Sequence, residues 1–483
     1  MAFSGSLVSD FSNIITRLPA ARQIINSVEY NNAAFQLFNR DVSRLVPDES
    51  ADYWTIRYYD GVDITAGARS ETGDMRLPGK HTTSAGRVYP TEISGAIGWT
   101  QWEMNLLRGN VNAFAQRYVD KLAGFLEGYK WIHQCVQLGD RGRIGRVSAY
   151  SAISATSGTV TIDSNVANFG VSDIGAHLKN KMMVDIFTAT DITGSAAWVL
   201  KARGVMVSLL NRAASSTTCT FVITTLANDA SSEIDAAPAD GDFVFLADAV
   251  GLDADMKFDE WRYPIGLWSI IDKGGAEGQE YHSGSSNAYN ASWNGITIQN
   301  RDRSDVALYK SVISRAGDRG GTAGTVQETS LDEIMEVIRE LDESLDSSRP
   351  NSKAMLANGA VVDWLGQLTA NTRNAMITLP QSENIMPGLA TDEFFKTSTG
   401  RIPIFRLPHL SKSQITIVNW DDIYRLDVEP MGPVAYQPGG PMQFPSPATR
   451  NRTFESWVVW GGANWFTRAD HCARIEDIDR DVT

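Results

Sequence analysis

The stretch that decides the fold runs from Gly98 to Leu138 and reads GWTQWEMNLLRGNVNAFAQRYVDKLAGFLEGYKWIHQCVQL. Its apolar residues recur at spacings of three and four, which places them on one side of an α-helix. They are Leu107, Val111, Phe114, Tyr118, Leu122, Phe125, Tyr129, Ile132 and Val136. The pattern predicts a single long amphipathic helix of about 55 Å, which is the full width of a domain.

Two arrangements would cover the apolar side of this helix. One is a coiled coil or helical bundle, but the flanking sequence favours strands, so a helix lying across a β-sheet fits better. Gly124 and Gly128 share one face of the helix, and each costs roughly 1 kcal/mol relative to alanine. Close backbone packing at this face would explain both glycines, and so would a built-in bend point.

Composition and charge restrict the class of protein. The chain has 483 residues and a formal net charge of −14. This length suggests about three domains, and this charge argues against a protein whose whole surface binds nucleic acid. A local basic patch is compatible with it, and Arg117, Lys121 and Lys130 on the polar side of the helix are candidates.

The cysteines and the hydropathy pattern indicate a soluble protein that is not exported. Cys135, Cys219 and Cys472 are too few and too scattered for a disulfide framework or a zinc site, which favours a reducing compartment. The N-terminal sequence lacks the basic start and apolar block of a signal peptide, and no segment is apolar enough to span a membrane. We therefore expect no membrane partner.

The order of patterns along the chain predicts an α+β protein with six consecutive regions. They are an N-terminal arm (1–50), an extended β-hairpin loop (51–97), the long helix (98–140), an inserted small β-rich domain (141–250), a helix-rich region with linking segments (251–430) and closing strands (431–483).

The first two regions have little apolar core of their own. The arm carries a predicted helix over Ala20–Asn32, and Asp52–Ile97 reads as a two-stranded ribbon with a polar tip. Because an isolated ribbon is only marginally stable in water, we expect the arm and the ribbon to be completed by neighbouring copies of the chain.

The later regions carry stronger local signals. Short strands at regular spacing predict a small β-sandwich or barrel within 141–250. Ser330 and Glu333 form a predicted capping box, followed by a strand, KAMLAN, and a second helix, GAVVDWLGQLT. Near the C-terminus, Phe454, Val458 and Trp460 alternate with Trp457 and Val459, and a strand that is apolar on both faces belongs inside a sheet. We expect the long helix to cover that sheet.

No stretch of the sequence predicts a catalytic, cofactor or metal site. The segment Gly73–Lys80 has five residues between its glycines where a phosphate loop has four, so it reads as the ribbon tip. His471 and Cys472 are neighbours on a predicted strand and would point to opposite faces, and His133 and Cys135 lie two apart on a helix. All four are expected to be core or interface residues.

The acidic cluster near the C-terminus also fails as a cation site. It lacks the glycine and the twelve-residue spacing of a calcium loop. We interpret it as a solvated tail. Its members are Glu476, Asp477, Asp479 and Asp481.

Taken together, these elements resemble the major capsid proteins of tailed bacteriophages, whose fold is named after phage Hong Kong 97. The ribbon running into the helix at Gly98 is similar to that family's extended loop and spine helix. The blocks GLWSIID at Gly266–Asp272 and NASWNGI at Asn290–Ile296 are similar to its segment linking the peripheral and axial domains. The terminal RTFESWVVWGGANWFTRADHCARIEDI is similar to its closing strands. The resemblance spans nearly the whole chain except the insertion near Arg141–Val250.

The resemblance implies a structural protein, not an enzyme, that forms pentamers and hexamers of an icosahedral shell around double-stranded DNA. It implies no cofactor, an axial domain within 251–430, and portal, scaffolding and decoration proteins as partners. Lys80 is the one tempting donor for the covalent crosslink of some members, and Arg117, Lys121 and Lys130 could face the interior. A chain that begins at Met1 favours a separate scaffolding protein, or none, over a cleaved segment.

Two other functions remain open from the sequence. The first is an encapsulin-like compartment that encloses a cargo enzyme, which shares the shell fold. The second is a β-rich carbohydrate-binding protein or enzyme, which the 13 tryptophans and the β-rich insertion favour. The absence of an evident carboxylate pair weakens the second alternative.

Overall fold

The structure is a computed structural model, and it describes part of the chain. The described residues are 37–40, 45–47, 54–59, 83–100, 111–139, 141–163, 178–188, 198–212, 218–226, 232–254, 256, 258–271, 297–298, 301–302, 310–314, 327–344, 352–371, 377–378, 393–396, 401–407, 410–433 and 453–479.

These residues contain mixed and antiparallel sheets and few helices. The strands are β1 (Leu45–Pro47), β2 (Trp54–Tyr59), β3 (Thr83–Val88), β4 (Thr91–Thr100), β5 (Arg143–Ser154), β6 (Ser157–Asp163), β7 (Met183–Thr188), β8 (Val199–Arg212), β9 (Thr218–Thr224), β10 (Glu233–Ile234), β11 (Phe243–Leu246), β12 (Val250–Leu252), β13 (Phe258–Trp261), β14 (Thr297–Ile298), β15 (Arg301–Asp302), β16 (Val312–Ser314), β17 (Gln327–Glu328), β18 (Lys353–Ala357), β19 (Ile377–Thr378), β20 (Glu393–Lys396), β21 (Arg401–Arg406), β22 (Ile415–Asn419), β23 (Ile423–Pro433), β24 (Thr453–Phe466), β25 (Ala473–Ile475) and β26 (Ile478–Asp479). The helices are α1 (Val111–Leu138), α2 (Leu267–Ile270), α3 (Leu331–Ser344) and α4 (Gly359–Asn371). Within these ranges no helix combines the length and apolarity needed to cross a bilayer.

The long helix is present, but it begins later than the sequence predicts. Helix α1 has 28 residues, or about 42 Å, while Gly98–Thr100 belongs to strand β4. Strand β24 holds these residues in extended form, because its Thr453–Gly462 segment pairs with β4 along the whole length of that strand. The helical spacing of local apolar residues cannot reveal a pairing with a strand 350 residues further along the chain.

Helix α1 packs on a three-stranded antiparallel sheet in the order β23, β24, β4. Tyr129 and Val136 are buried, and the Tyr129 hydroxyl donates to the Ile93 carbonyl on β4 at 2.6 Å. Strand β24 lies in the centre of this sheet, as predicted from its two apolar faces. Over its described part, the helix therefore packs on this sheet.

The predicted ribbon is confirmed at its base. The second of its two predicted strands is divided into two strands, β3 and β4. Strands β2 and β3 pair antiparallel from Trp54 with Val88 to Tyr59 with Thr83, and β1 adds a third strand. The run that the sequence presents as one strand bends after Val88, and its second half, β4, joins the sheet under α1. The ribbon and that sheet are thus connected by two residues only.

The residues between 143 and 246 form a closed antiparallel barrel. Six strands follow one another in the order β8, β7, β11, β5, β6, β9, and β9 pairs again with β8. A group of aromatic rings packs together beside strands β7 and β11. These are Phe187, Trp198, Phe243, Phe245 and Trp261. Since Trp261 lies on β13, the packed unit continues past the predicted boundary at residue 250.

The barrel is not packed separately from the long helix. One continuous cluster of buried side chains joins barrel residues such as Phe245 to Tyr129 and Val136 of α1 and to Trp460 of β24. The buried carboxylate of Asp185 fixes the barrel locally, because it accepts the Gly204 N–H at 2.6 Å and the Asp248 N–H at 2.8 Å. The second bond holds Asp248 in a left-handed conformation at φ 59°.

A seven-stranded mixed sheet forms the other half of the molecule, in the order β16, β25, β22, β18, β21, β20, β19. Helix α3 covers it, and its predicted capping box is confirmed: the Ser330 N–H donates to Glu333 at 2.6 Å, and the Glu333 N–H donates to the Ser330 hydroxyl at 3.3 Å. The buried face of α3 is the predicted one as far as it is described. It contains Leu331, Ile334, Ile338 and Leu341.

The predicted boundary at residue 430 does not separate two sheets. Strand β23 runs across that point and pairs with β24 under α1. Strand β25, from the terminal region, pairs with β22 and β16 in the mixed sheet. The chain therefore crosses between the two sheets twice near its end, and both crossings lie in the core.

Candidate functional site

One face of the ribbon base is largely exposed among the described residues. Alternation along the strands places Leu45, Ile56 and Val88 inward, where all three are buried. The opposite face, here called the ribbon face, consists of Val46, Thr55, Arg87 and Tyr89. Val46 is 58% exposed and Tyr89 is 49% exposed. Tyrosine and arginine beside an aliphatic residue are typical of protein–protein contacts.

The end of the N-terminal arm is attached to the chain's own core, which corrects part of the sequence interpretation. Leu37 and Phe38 are buried. The Asn39 N–H donates to Ile423 at 3.0 Å, and the Asn39 carbonyl accepts the Arg425 N–H at 2.7 Å. Intramolecular contacts thus hold this part of the arm. The predicted helix Ala20–Asn32 and the ribbon tip lie outside the described residues.

Among the described residues, nothing covers the outer face of helix α1. Its exposed members are Gln116, Arg117, Asp120, Ala123, Gly124, Glu127 and Gly128. A Cβ built on Gly124 or Gly128 would meet nothing within 4 Å. Close packing against another described part of the chain therefore does not account for these glycines, and the bend point stays a prediction.

Replacing Gly124 and Gly128 with alanine is expected to stabilise the protein. The free energy of unfolding should rise by about 1 kcal/mol for each replacement, because alanine restricts the unfolded backbone and meets open space in the helix. Urea denaturation of each variant measures this change.

Gly95→Ala is the matched control for these replacements. A Cβ at Gly95 would lie 2.6 Å from the Phe125 ring of α1, so this variant should be less stable than the parent. Destabilisation by the alanines at 124 and 128 would show that the outer face of α1 is covered after all.

The three basic candidates of α1 do not form one stripe. At 100° per residue, Lys121 lies about 40° from Arg117 around the helix, and Lys130 lies about 140° away on the other side. Lys121 also donates to the Gly98 carbonyl of β4 at 3.0 Å. A single basic surface built from these three residues is excluded by their positions.

A buried polar cluster lies between α1 and its sheet, and sequence reasoning did not identify it. This polar seam consists of the buried His133 and Gln137 on α1, Arg425 on β23 and Asn464 on β24, together with the partly exposed Asp427 on β23. The Arg425 guanidinium contacts Asp427 at 2.8 Å, and the Trp460 indole N–H donates to Asp427 at 2.9 Å. Arg40 of the arm reaches the same carboxylate at 2.8 Å.

His133 is the titratable group at the centre of the polar seam. It is fully buried and meets the rings of Tyr129 and Trp460 edge-on, with ring centroids 4.6 Å and 5.3 Å away. Burial, together with the positive charge of Arg425, lowers the pKa of His133 to about 3. The imidazole is therefore neutral in the folded protein at neutral pH.

His471 and Cys472 do not form a nucleophile–base pair. His471 contacts Asp422 at 2.6 Å, and burial raises the pKa of the Cys472 thiol. Both residues lie in a turn before β25, not in the strand that the sequence predicts. His133, Cys135, His471 and Cys472 are all buried, as expected for core residues.

Asp422 links the two crossings between the sheets. Its carboxylate accepts the Asn419 amide at 2.6 Å and the Thr467 hydroxyl at 2.7 Å, in addition to the contact with His471. Asp422 lies between β22 and β23, while Thr467 and His471 lie between β24 and β25. This network fixes one sheet against the other.

The acidic cluster is not a solvated tail, which corrects the sequence interpretation. Glu476 is fully buried and Asp477 is 2% exposed. Glu476 pairs with the buried Arg474, whose guanidinium stacks on the Trp268 ring at 3.7 Å and donates to the Trp268 carbonyl at 3.2 Å. Asp481 lies outside the described residues.

The described part of the chain contains no group of three or more histidine, cysteine or carboxylate side chains that could hold a metal ion. Lys80 and the Gly73–Lys80 segment lie outside it. A buried lysine that the sequence did not single out, Lys353, pairs with Asp342 between β18 and α3. Desolvation lowers the pKa of Lys353 to about 8.

Comparison with solved structures finds capsid chains. The chain is similar to a capsid chain of cyanophage A-1(L), with 10% identity, a TM-score of 0.45 and 93% of each chain covered. For a structure of Mycobacterium phage Patience the identity is 9% and the TM-score 0.39, with 99% of this chain and 88% of that chain covered. The SrpI encapsulin from Synechococcus elongatus PCC 7942 matches 41% of this chain and 69% of its own, with 13% identity and a TM-score of 0.24.

No protein-family model matches the sequence, and no curated protein matches it.

Proposed function

We propose that this chain is the major capsid protein of a tailed bacteriophage, a structural subunit that assembles into pentamers and hexamers of an icosahedral shell around double-stranded DNA. In this assignment α1 is the spine helix and belongs, with its sheet, to the peripheral domain. The mixed sheet with α3 and α4 belongs to the axial domain. The barrel is an accessory domain inserted between them.

The observation that carries the proposal is the ribbon base. Its inner face is fixed to the chain's own core by Ile56 and Val88, while its outer face leaves Val46 and Tyr89 exposed. The 23 residues between β2 and β3, from 60 to 82, are enough for two strands reaching up to about 35 Å beyond this base. An anchored base whose outer face is exposed among the described residues is suited to contacting a second copy of the chain.

The acidic composition supports weak rather than tight contact with packaged DNA. A net charge of −14 limits the non-specific binding that a basic inner surface would give. Portal, scaffolding and decoration proteins are the further partners of such a shell, which would be assembled in the host cytoplasm and remain in the virion. No cofactor is part of this function, and no enzymatic step is proposed.

Deleting the ribbon tip, Arg69–Thr82, is expected to abolish closed shells while leaving a folded subunit. The described core contains none of these residues, so circular dichroism and the urea midpoint should be close to those of the parent. Negative-stain microscopy and sedimentation should show particles for the parent chain and only small species for the deletion. Normal particles from the deletion would contradict the proposal.

A matched pair of surface variants separates assembly from folding. Val46→Ser changes the ribbon face, and Ile153→Ser changes an equally exposed residue of the barrel at 61% exposure. Only Val46→Ser should reduce particle yield. Shells that enclose a cargo enzyme and no DNA would favour an encapsulin-like compartment, and a monomer that binds glycans at all concentrations would favour a carbohydrate-binding protein.

A further inference from the structure

Two long strands of the barrel each pair with different neighbours along their length. Strand β5 pairs with β11 through residues 143–146 and with β6 through residues 147–154. Strand β8 pairs with β7 through its first half and with β9 from Met206 onward. The second halves of β5 and β8, together with β6 and β9, therefore form one four-stranded side of the barrel.

Side chains on this side alternate between the core and the surface. Val160 and Ile162 of β6 are fully buried, and so are Phe221 and Ile223 of β9. Their neighbours along the strands point outward and are partly exposed. Six of these outward residues are here called the neutral face: Thr159, Thr161, Ser208, Thr220, Val222 and Thr224.

The segments that build this side of the barrel carry no charge. The sequence has no charged residue from 147 to 162, from 204 to 211 or from 213 to 228, although 21% of the whole chain is charged. Charged side chains do lie around β10, where Arg203, Glu233 and Asp235 are exposed. The neutral face is thus an uncharged region on a protein with a net charge of −14.

Hydroxyl groups of the neutral face have partners within the barrel. The Thr161 and Thr220 hydroxyls lie 3.3 Å apart across β6 and β9, and the Ser208 hydroxyl donates to the Val222 carbonyl at 3.3 Å. Covering these groups therefore does not leave them without a hydrogen bond. Lack of charge and low cost of burial are properties of the central part of a protein–protein contact.

We propose that the neutral face is a weak contact between copies of this chain, in which the neutral face of one barrel packs on that of another about a two-fold axis. A nucleic acid or an anionic membrane would need basic side chains, and this side of the barrel has none. A charged protein partner would lose hydration without meeting an opposite charge. Two copies of an acidic chain repel each other least where neither is charged, and an uncharged face is complementary to itself.

The size of the face indicates how strong this contact is. Four strands about 4.8 Å apart, with outward residues about 6.8 Å apart along each strand, give roughly 300–400 Å² per copy. Stable complexes bury about 800 Å² per partner. The contact therefore forms at high protein concentration, or where other contacts already hold two copies close together.

Chemical crosslinking of the full-length protein tests the contact. Val222→Cys places a thiol in the middle of the neutral face, and Val199→Cys places one at a residue that is 48% exposed and lies outside it. The native Cys135, Cys219 and Cys472 are buried. With a short bis-maleimide at high protein concentration, Val222→Cys should give roughly tenfold more linked dimer than Val199→Cys, because the contact raises the effective concentration of the two thiols. Equal amounts would overturn the proposal.

A charge placed in the face supplies the second test. Thr161→Lys in the Val222→Cys chain brings two like charges together across the two-fold axis, so the linked dimer should decrease about tenfold. Val199→Lys in the same chain should leave it unchanged. Thr159→Lys replaces Thr161→Lys if circular dichroism shows that the latter is not folded. Undiminished linkage in the folded lysine variant would overturn the proposal, and so would a glycan that binds the parent but not this variant when no linked dimer forms.

This result is distinguishable from that of the proposed function. Particles without linked dimer would overturn the barrel contact alone. Linked dimer without particles would overturn the shell alone.

Discussion

Replacing Arg474 with methionine is expected to lower the free energy of unfolding by about 3–5 kcal/mol, the usual cost of leaving one partner of a buried ion pair alone. Arg474 is 1% exposed and its partner Glu476 is fully buried. Without the guanidinium, Glu476 must either remain charged in the core or take up a proton, and the stack on Trp268 is lost as well. Urea denaturation at pH 7 measures the change.

The double variant Arg474→Met/Glu476→Leu is the control that identifies the cause. Removing both charges leaves apolar side chains of similar volume, and such replacements of buried pairs are often neutral or stabilising. The double variant should therefore recover most of the stability lost in Arg474→Met. If it is as unstable as the single variant, packing on Trp268 rather than the ion pair accounts for the loss.

This ion pair shows why the sequence predicted local elements better than it predicted their surroundings. The capping box of α3 depends on residues three apart, and the barrel strands depend on alternation within each strand. Both could therefore be predicted from the sequence. The burial of Glu476 depends on Arg474 and on Trp268, which lies 206 residues before Arg474. A run of acidic residues near a chain end carries no sign of such a distant partner.

The polar seam left a weak signal that could have been recognised. His133 and Gln137 are four residues apart and continue the apolar stripe of the helix through Tyr129, so polar side chains were placed on the buried side. The strands that cover them, β23 and β24, lie more than 280 residues further along the chain. The sequence pattern could place the two residues in the core, but it could not show which strands cover them there.

The start of α1 also depends on a distant part of the chain, which the local sequence pattern does not show. Trp99 and Trp102 lie within a stretch with good helical spacing, and yet Thr91–Thr100 is a strand. Its ten residues pair with β24, and Gly95 and Gly98 suit an extended strand as well as they interrupt a helix. Tertiary pairing decided between two local conformations that the sequence alone left close in energy.

Two buried groups should change the free energy of unfolding in opposite directions as the pH falls, and the two changes largely cancel. The pKa of His133 is lowered to about 3, so the unfolded chain binds more protons and stability is lost as the pH falls below 6.5. Burial raises the pKa of Asp185 to about 6, although its bonds from Gly204 and Asp248 oppose the rise. The folded state then binds more protons, and stability is lost as the pH rises from 3.8 towards 6.

Replacing each group in turn is expected to reveal its own contribution to the dependence of the free energy of unfolding on pH. For His133→Phe, the free energy of unfolding should rise relative to the parent by about 1.4 kcal/mol for each pH unit below 6.5, which is about 2 kcal/mol at pH 5. For Asp185→Asn, the parent should lose about 3 kcal/mol relative to the variant as the pH rises from 3.8 to 6. Urea titrations at half-unit steps from pH 4 to pH 7 measure both differences. Parallel curves for parent and His133→Phe would mean that the imidazole reaches solvent in the folded protein, because only a group whose pKa is the same in both states leaves stability independent of pH.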